Sequence, residues 1–189
     1  MHDETIPRRQ LVLLAVLFEG GLGGVAWLLG WVLDQPCCET WHWDARDAAL
    51  GVAASLPMML LFLLCLRCPF GPLVRIKQFS TEVIRPLFAP CSVVELALIS
   101  ACAGVGEEML FRGVLQAAFS RWFIPWVGLG AASLLFGLLH PFTLTYIALA
   151  TAMGVYLGLV WVSSGNLLVV SVAHGLYDFL ILVYLVRRA

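Results

Sequence analysis

The residues best equipped for chemistry are carboxylates and imidazoles set in otherwise apolar sequence. "GEEMLFRG" (106–113) carries Glu107, Glu108 and Arg112, "FGLLH" (136–140) ends on His140, and "HGLYD" (174–178) holds His174 and Asp178. Glu108 and Arg112 stand four apart with the glutamate first, the favourable order for an intrahelical ion pair. Glu107 is then left without a local partner, about 100° round the helix on the side of Phe111 and Val114. A desolvated carboxylate of this kind suits general-base work on water. Its company must come from His140 and His174, because His2 and His42 fall outside the apolar runs. Phe136 shares a helical face with His140, and His174 shares one with Asp178. Singly, a Glu–Arg pair can glue helices and a histidine can bond a backbone carbonyl. Four polar residues on three apolar segments meet only through bundle packing, which points to a polar chamber.

The chemistry expected there is hydrolysis with water as nucleophile. Ser133 and Ser171 lie near the histidines in sequence and stay open as alternatives. Two histidines with a carboxylate can also form a zinc site with an open position for water, and Glu107, His140 and His174 would be its ligands. No H-E-x-x-H run supports that arrangement, so no cofactor is favoured and zinc stays the alternative.

Such residues must be positioned by membrane helices. The 189 residues are 61% hydrophobic and 12% charged, with a mean hydropathy of +0.94, which a water-soluble surface does not allow. The net charge of -1 and the scattered basic residues give no footprint for nucleic acid. Apolar runs near the ~20 residues that a span needs occur at about 10–33, 48–66, 92–120, 124–140, 142–162 and 167–186. The fold expected is an all-α polytopic bundle of about six spans. The first run carries Glu19 and no A-x-A-like site follows it, so it reads as a retained helix and not a cleaved signal.

Arg8, Arg9, Arg67, Arg75, Lys77, Arg85, Arg187 and Arg188 fall on one side of such a bundle, against Arg46 and Arg121 on the other. Both termini are therefore expected in the cytoplasm. Between the second and third runs, Ile76, Phe79, Val83 and Leu87 share a face, which predicts a short amphipathic helix at the interface, acting as a connector. "CLRC" (65–68) is a lone C-x-x-C, Cys91 and Cys102 read as core residues, and Cys37 and Cys38 lie in the outer loop. No disulfide framework or catalytic cysteine follows. "GVYLG" (154–158) matches a small-xxx-small pattern that serves either internal packing or oligomerisation.

"EEMLFR", "FGLLH" and "HGLYD", in that order on successive core helices, resemble the E-E-x-x-x-R, F-x-x-x-H and H-x-x-x-N/D motifs of the CPBP (CAAX protease and bacteriocin-processing, or Abi) family of intramembrane proteases. The resemblance covers about residues 85–188. No linker, low-complexity tract or repeat divides the sequence, so it reads as one domain over 1–189, in which the resemblance implies a catalytic core at 85–188 and leaves two accessory spans at 10–66. The resemblance also implies an endopeptidase, of glutamic or metallo type, whose substrate is a membrane-associated protein or peptide. Glu107 would activate water, His140 and His174 would complete the site, and Glu108, Arg112 and Phe136 would support it. Asp178 takes a place often held by Asn. A carboxylate donates no hydrogen bond to an oxyanion unless protonated, so orienting His174 is its expected role. The expected setting is the lipid bilayer of the cell membrane.

The competing class is a non-enzymatic membrane protein, a small proton-coupled transporter or a scaffold subunit, since buried Glu, His and Asp also build proton paths. Glu19, beside Gly20, Gly21, Gly23 and Gly24, fits that reading slightly better than the protease reading. No paired repeat or matched broken helix supports a transporter.

Overall fold

The computed structural model describes residues 6–68 and 70–187, so His2 and Arg188 lie outside the described residues. Among those described there is helix and no strand. Helix α1 is Arg8–Val32 and α2 is Ala45–Arg67. A helical run α3, Gly71–Phe88, meets the long helix α4, Val93–Trp122, at a bend of 117°. Pro125–Leu138 forms α5, Leu144–Ser164 α6 and Leu167–Arg187 α7.

All six apolar runs are helical, but they are not equally long. Helices α1, α2, α6 and α7 are long and apolar enough to cross a membrane, and the bent pair α3–α4 makes a fifth if it counts as one span. At 14 residues α5 rises only about 21 Å, short of the ~30 Å hydrocarbon core. Prolines set that length. Pro125 opens α5 at a position where a missing N–H does no harm, and Pro141 disfavours helical backbone at His140. His140 consequently sits in the turn beyond α5 instead of on its last turn.

The bundle packs α4 against α1 and α7, α2 against α7, and α5 against α6. Glycines bring the backbones together. A side chain at Gly104 of α4 would collide with the backbone of Gly175 and the Ser171 carbonyl of α7, and one at Gly106 would collide with the Glu19 carbonyl of α1. Gly154 lies against Ser133, and Gly158 against Leu129 and Gln116. The "GVYLG" pattern is thus used inside the bundle.

Helix α3 departs from a plain surface connector. Its inward face runs through the buried Ile76 and Ser80 and the half-buried Ile84 and Phe88, while Val83 and Leu87 are exposed. The expected α-helical face is displaced because Ser80–Ile84 is a π-turn, which adds a residue to the repeat. Phe79 stacks on Phe142 at 4.3 Å and meets Tyr146 edge-on at 5.5 Å, tying α3 to the start of α6.

Near the C-terminal end of α4, Arg121 donates to the carbonyls of Leu33 and Asp34, both at 2.6 Å, closing the end of α1. Cys37 and Cys38 are free thiols with sulfurs 3.7 Å apart. Partial burial and the Cys37 neighbour push the Cys38 thiol up to about 11, so at neutral pH it is a poor nucleophile.

Candidate active site

The motif "EEMLFR" straddles a change of helix type. Val93–Glu108 is α-helical and begins with a capping box between Ser92 and Glu95. Met109–Gln116 is a π-helix that places Leu110, Phe111, Arg112, Gly113, Val114 and Gln116 in buried positions. Such wide turns rearrange side chains that a regular helix would space evenly, and they recur at functional sites.

Glu108 and Arg112 form the expected ion pair. Arg112 Nη1 donates to Glu108 Oε1 at 2.7 Å, and the two side chains are 1% and 0% exposed, so the pair lies wholly outside water. Arg112 Nη2 also donates to the Gly154 carbonyl at 2.9 Å, and one helical turn on Gln116 Nε2 donates to the Gly158 carbonyl at 3.3 Å. The π-segment is therefore tied to α6 by two side chains reaching two glycine carbonyls.

Glu108 has a second partner that spacing alone does not reveal. Its Oε1 also accepts from His174 Nδ1 at 2.7 Å, which is possible because Gly104 and Gly175 let α4 and α7 touch. Asp178 Oδ2 stands 3.5 Å from His174 Nε2, an electrostatic contact and not a hydrogen bond. The His174 ring therefore lies between two carboxylates, with Glu108 on its Nδ1 side and Asp178 on its Nε2 side. His140 Nδ1 lies 2.7 Å from the Phe136 carbonyl. A carbonyl only accepts, so Nδ1 carries the hydrogen and Nε2 of the neutral ring is left as an acceptor.

Phe136 is the hub of this arrangement. Its ring lies 4.8 Å from the His140 ring, 5.8 Å from His174 and 5.0 Å from Phe111, and the Arg112 guanidinium sits over it at 4.9 Å. One aromatic side chain from α5 therefore spaces the groups of α4, α7 and the α5–α6 turn.

Glu107, His140, His174 and Asp178 line one cavity of about 240 Å³. Glu107 Oε2 is shielded from solvent and meets no hydrogen-bond donor in the protein. The cavity runs down between α3 and α7, past Phe79, Ser80, Ile84, Leu182 and Leu185. Ser133 and Ser171 are buried but do not line it, which leaves the serine alternatives without access to the chamber.

The cavity also holds residues that the motifs do not reveal. Glu19 enters from α1, and Ser100, Tyr146 and Tyr177 complete the wall. Tyr146 stacks with His140 at 6.2 Å between ring centres. Tyr177 was within reach of sequence reasoning as the neighbour of Asp178, whereas Tyr146 had no such signal.

Among the described residues, no three His, Cys, Asp or Glu side chains converge closely enough to hold a metal ion. His174 Nδ1 and His140 Nδ1 are both committed to oxygen partners, and only their Nε2 atoms face the chamber's remaining groups.

The family described as "Type II CAAX prenyl endopeptidase Rce1-like" matches residues 89–180, the stretch that carries all three motifs. An uncharacterised protein of Bacillus subtilis (strain 168), YpbD, is 34% identical over 148 residues, which span 72% of this chain and 69% of the relative. No solved structure matches. With its all-helical bundle and membrane-length helices, the chain is an integral membrane protein that belongs to the CPBP family of intramembrane proteases.

Proposed function

We propose that the protein hydrolyses a peptide bond of a membrane-associated protein or peptide with a water molecule activated by Glu107. The observation that carries this reading is the Glu107 Oε2 atom, which is buried, unpartnered and in the same cavity as His140 and His174. A carboxylate oxygen with no competing donor is free to take a proton from a water on the scissile carbonyl. His174, held at Nδ1 by Glu108 and facing Asp178 at Nε2, is placed to pass a proton to the departing amine. His140, its Nδ1–H anchored on Phe136, presents Nε2 to hold the attacking water. Glu108, Arg112 and Phe136 fix these rings, and the absence of bulk water strengthens each polar interaction.

The apolar lower cavity beside α3 supports entry of the substrate from the cytoplasmic side of the cell membrane, with both termini on that side. The family's description names prenylated CAAX substrates. A farnesylated peptide ending in a Cys-aliphatic-aliphatic-X sequence, carried in liposomes, is accordingly the first probe. The cellular test compares peptide termini of membrane proteins from cells making the wild type or Glu107→Gln. Termini that arise only with the wild type are expected. Identical sets of termini, with both proteins equally abundant, would return the transporter or scaffold reading.

A further inference from the structure

We infer that Tyr146 is a further catalytic residue, its phenol donating a hydrogen bond to the oxygen that turns negative when water adds to the scissile carbonyl. The inference rests on the Glu107 reading above and names the group that meets the charge formed there. Water attack forms a C–O bond, moves the carbonyl electron pair onto oxygen and leaves a proton of the water on Glu107. The phenol keeps its own proton throughout. When the C–N bond breaks, the pair returns to the carbonyl and His174 protonates the amine. In a chamber without bulk water the oxyanion needs a fixed donor. Glu19, Glu107 and Asp178 line the chamber, but ionised carboxylates only accept.

Among the described residues, the side-chain N–H and O–H groups lining the chamber belong to Ser80, Ser100, His140, His174, Tyr146 and Tyr177. Ser80 donates to the Ile76 carbonyl at 2.8 Å, and Ser100 Oγ is sealed from solvent. His140 spends its Nδ1–H on the Phe136 carbonyl, and His174 is held by Glu108 and faces Asp178. Tyr177 meets Phe62 of α2 edge-on at 6.4 Å, whereas Tyr146 stacks on His140 at 6.2 Å with the ring planes 26° apart. The Tyr146 hydroxyl makes no hydrogen bond to the described residues, and it is not sealed as Ser100 Oγ is. On the face of α6 that lines the chamber its neighbours are Leu149, Ala150, Met153 and Leu157, so the phenol is the polar group of that face. The ring is also held in place. Phe79 and Phe142 meet it edge-on at 5.5 and 5.0 Å, and the N-cap residue Thr143 accepts from the Tyr146 N–H at 3.0 Å. A donor fixed before the charge forms needs no reorganisation when it does.

The test compares full-length wild type with Tyr146→Phe, which keeps the stacked ring and removes only a hydroxyl with no partner in the protein. With the farnesylated peptide in liposomes, Tyr146→Phe should lower kcat by about 10²- to 10³-fold with little change in KM, because the hydrogen bond is made in the transition state alone. A second readout is binding, in lipid nanodiscs, of a farnesylated analogue whose scissile bond is replaced by a phosphinate, a stable tetrahedral anion. Its affinity should fall in Tyr146→Phe by a factor similar to that in kcat, as expected of a transition-state mimic. Unchanged kcat and unchanged phosphinate affinity in Tyr146→Phe, with the wild type cleaving the peptide, would overturn the inference and leave the protease reading standing. A raised KM at unchanged kcat would also overturn it, since the hydroxyl would then bind substrate and transition state alike. So would a loss of kcat that appears in Tyr177→Phe instead. A wild type that neither cleaves the peptide nor binds the phosphinate would remove the protease reading and this inference together.

Discussion

Helix α4 contains glutamates in two very different settings. At its first turn Glu95 accepts from Arg8 Nε at 2.9 Å and Nη2 at 2.6 Å, and from the Ser92 backbone and hydroxyl at 2.7 Å each. Three turns on, Glu107 and Glu108 each retain a buried oxygen with no donor. The first carboxylate is saturated and near water, as a group that only holds structure can be. The second pair is left partly unsatisfied where the penalty for that is greatest, and such groups call for an explanation that Glu95 does not need. Identical side chains on one helix thus differ in what their spare lone pairs meet.

The contrast is sharpened most by removing the cation from each setting. Arg112→Ala should destabilise the protein by roughly 3 to 5 kcal/mol, because Glu108 is left as an uncompensated buried charge beside His174. Thermal unfolding in detergent and the amount of protein inserted in the membrane measure this. A normally abundant, normally stable Arg112→Ala protein would show that the buried pair is no brace. Ser92→Ala removes the hydroxyl that caps α4 and should cost about 1 kcal/mol by the same unfolding assay. Arg8→Ala breaks an exposed contact and should leave stability unchanged within error at physiological salt. A loss from Arg8→Ala as large as that from Arg112→Ala would erase the distinction between the two settings.

Much of the site could be read from the chain because membrane helices make polar residues conspicuous. Glu107, Glu108, Arg112, His140, His174 and Asp178 stand out in apolar sequence, and all but Glu108 and Arg112 line the cavity. Which partner orients His174 was not legible, since the Glu108 contact depends on how closely Gly104 lets α7 approach. The π-segments were hidden for a different reason. A hydrogen-bond pattern one residue wider than the α-helix has no composition of its own, so Met109–Gln116 and Ser80–Ile84 read as ordinary helix. The second of these moved the inward face of α3 from Val83 and Leu87 to the buried Ser80 and the half-buried Ile84 and Phe88. The short α5 was foreshadowed by Pro125 and Pro141, yet hydropathy continued smoothly past both of them.

The most direct test of the central claim is cleavage of the farnesylated peptide by purified wild type and Glu107→Gln in liposomes, each assayed after exhaustive chelation. The amide keeps the shape of Glu107 but cannot take a proton from water, so the account predicts sustained turnover by the chelated wild type and turnover lowered by about 10²- to 10⁴-fold in a correctly folded Glu107→Gln. Undiminished cleavage by Glu107→Gln would contradict it. So would a wild-type activity that chelation abolishes and zinc restores.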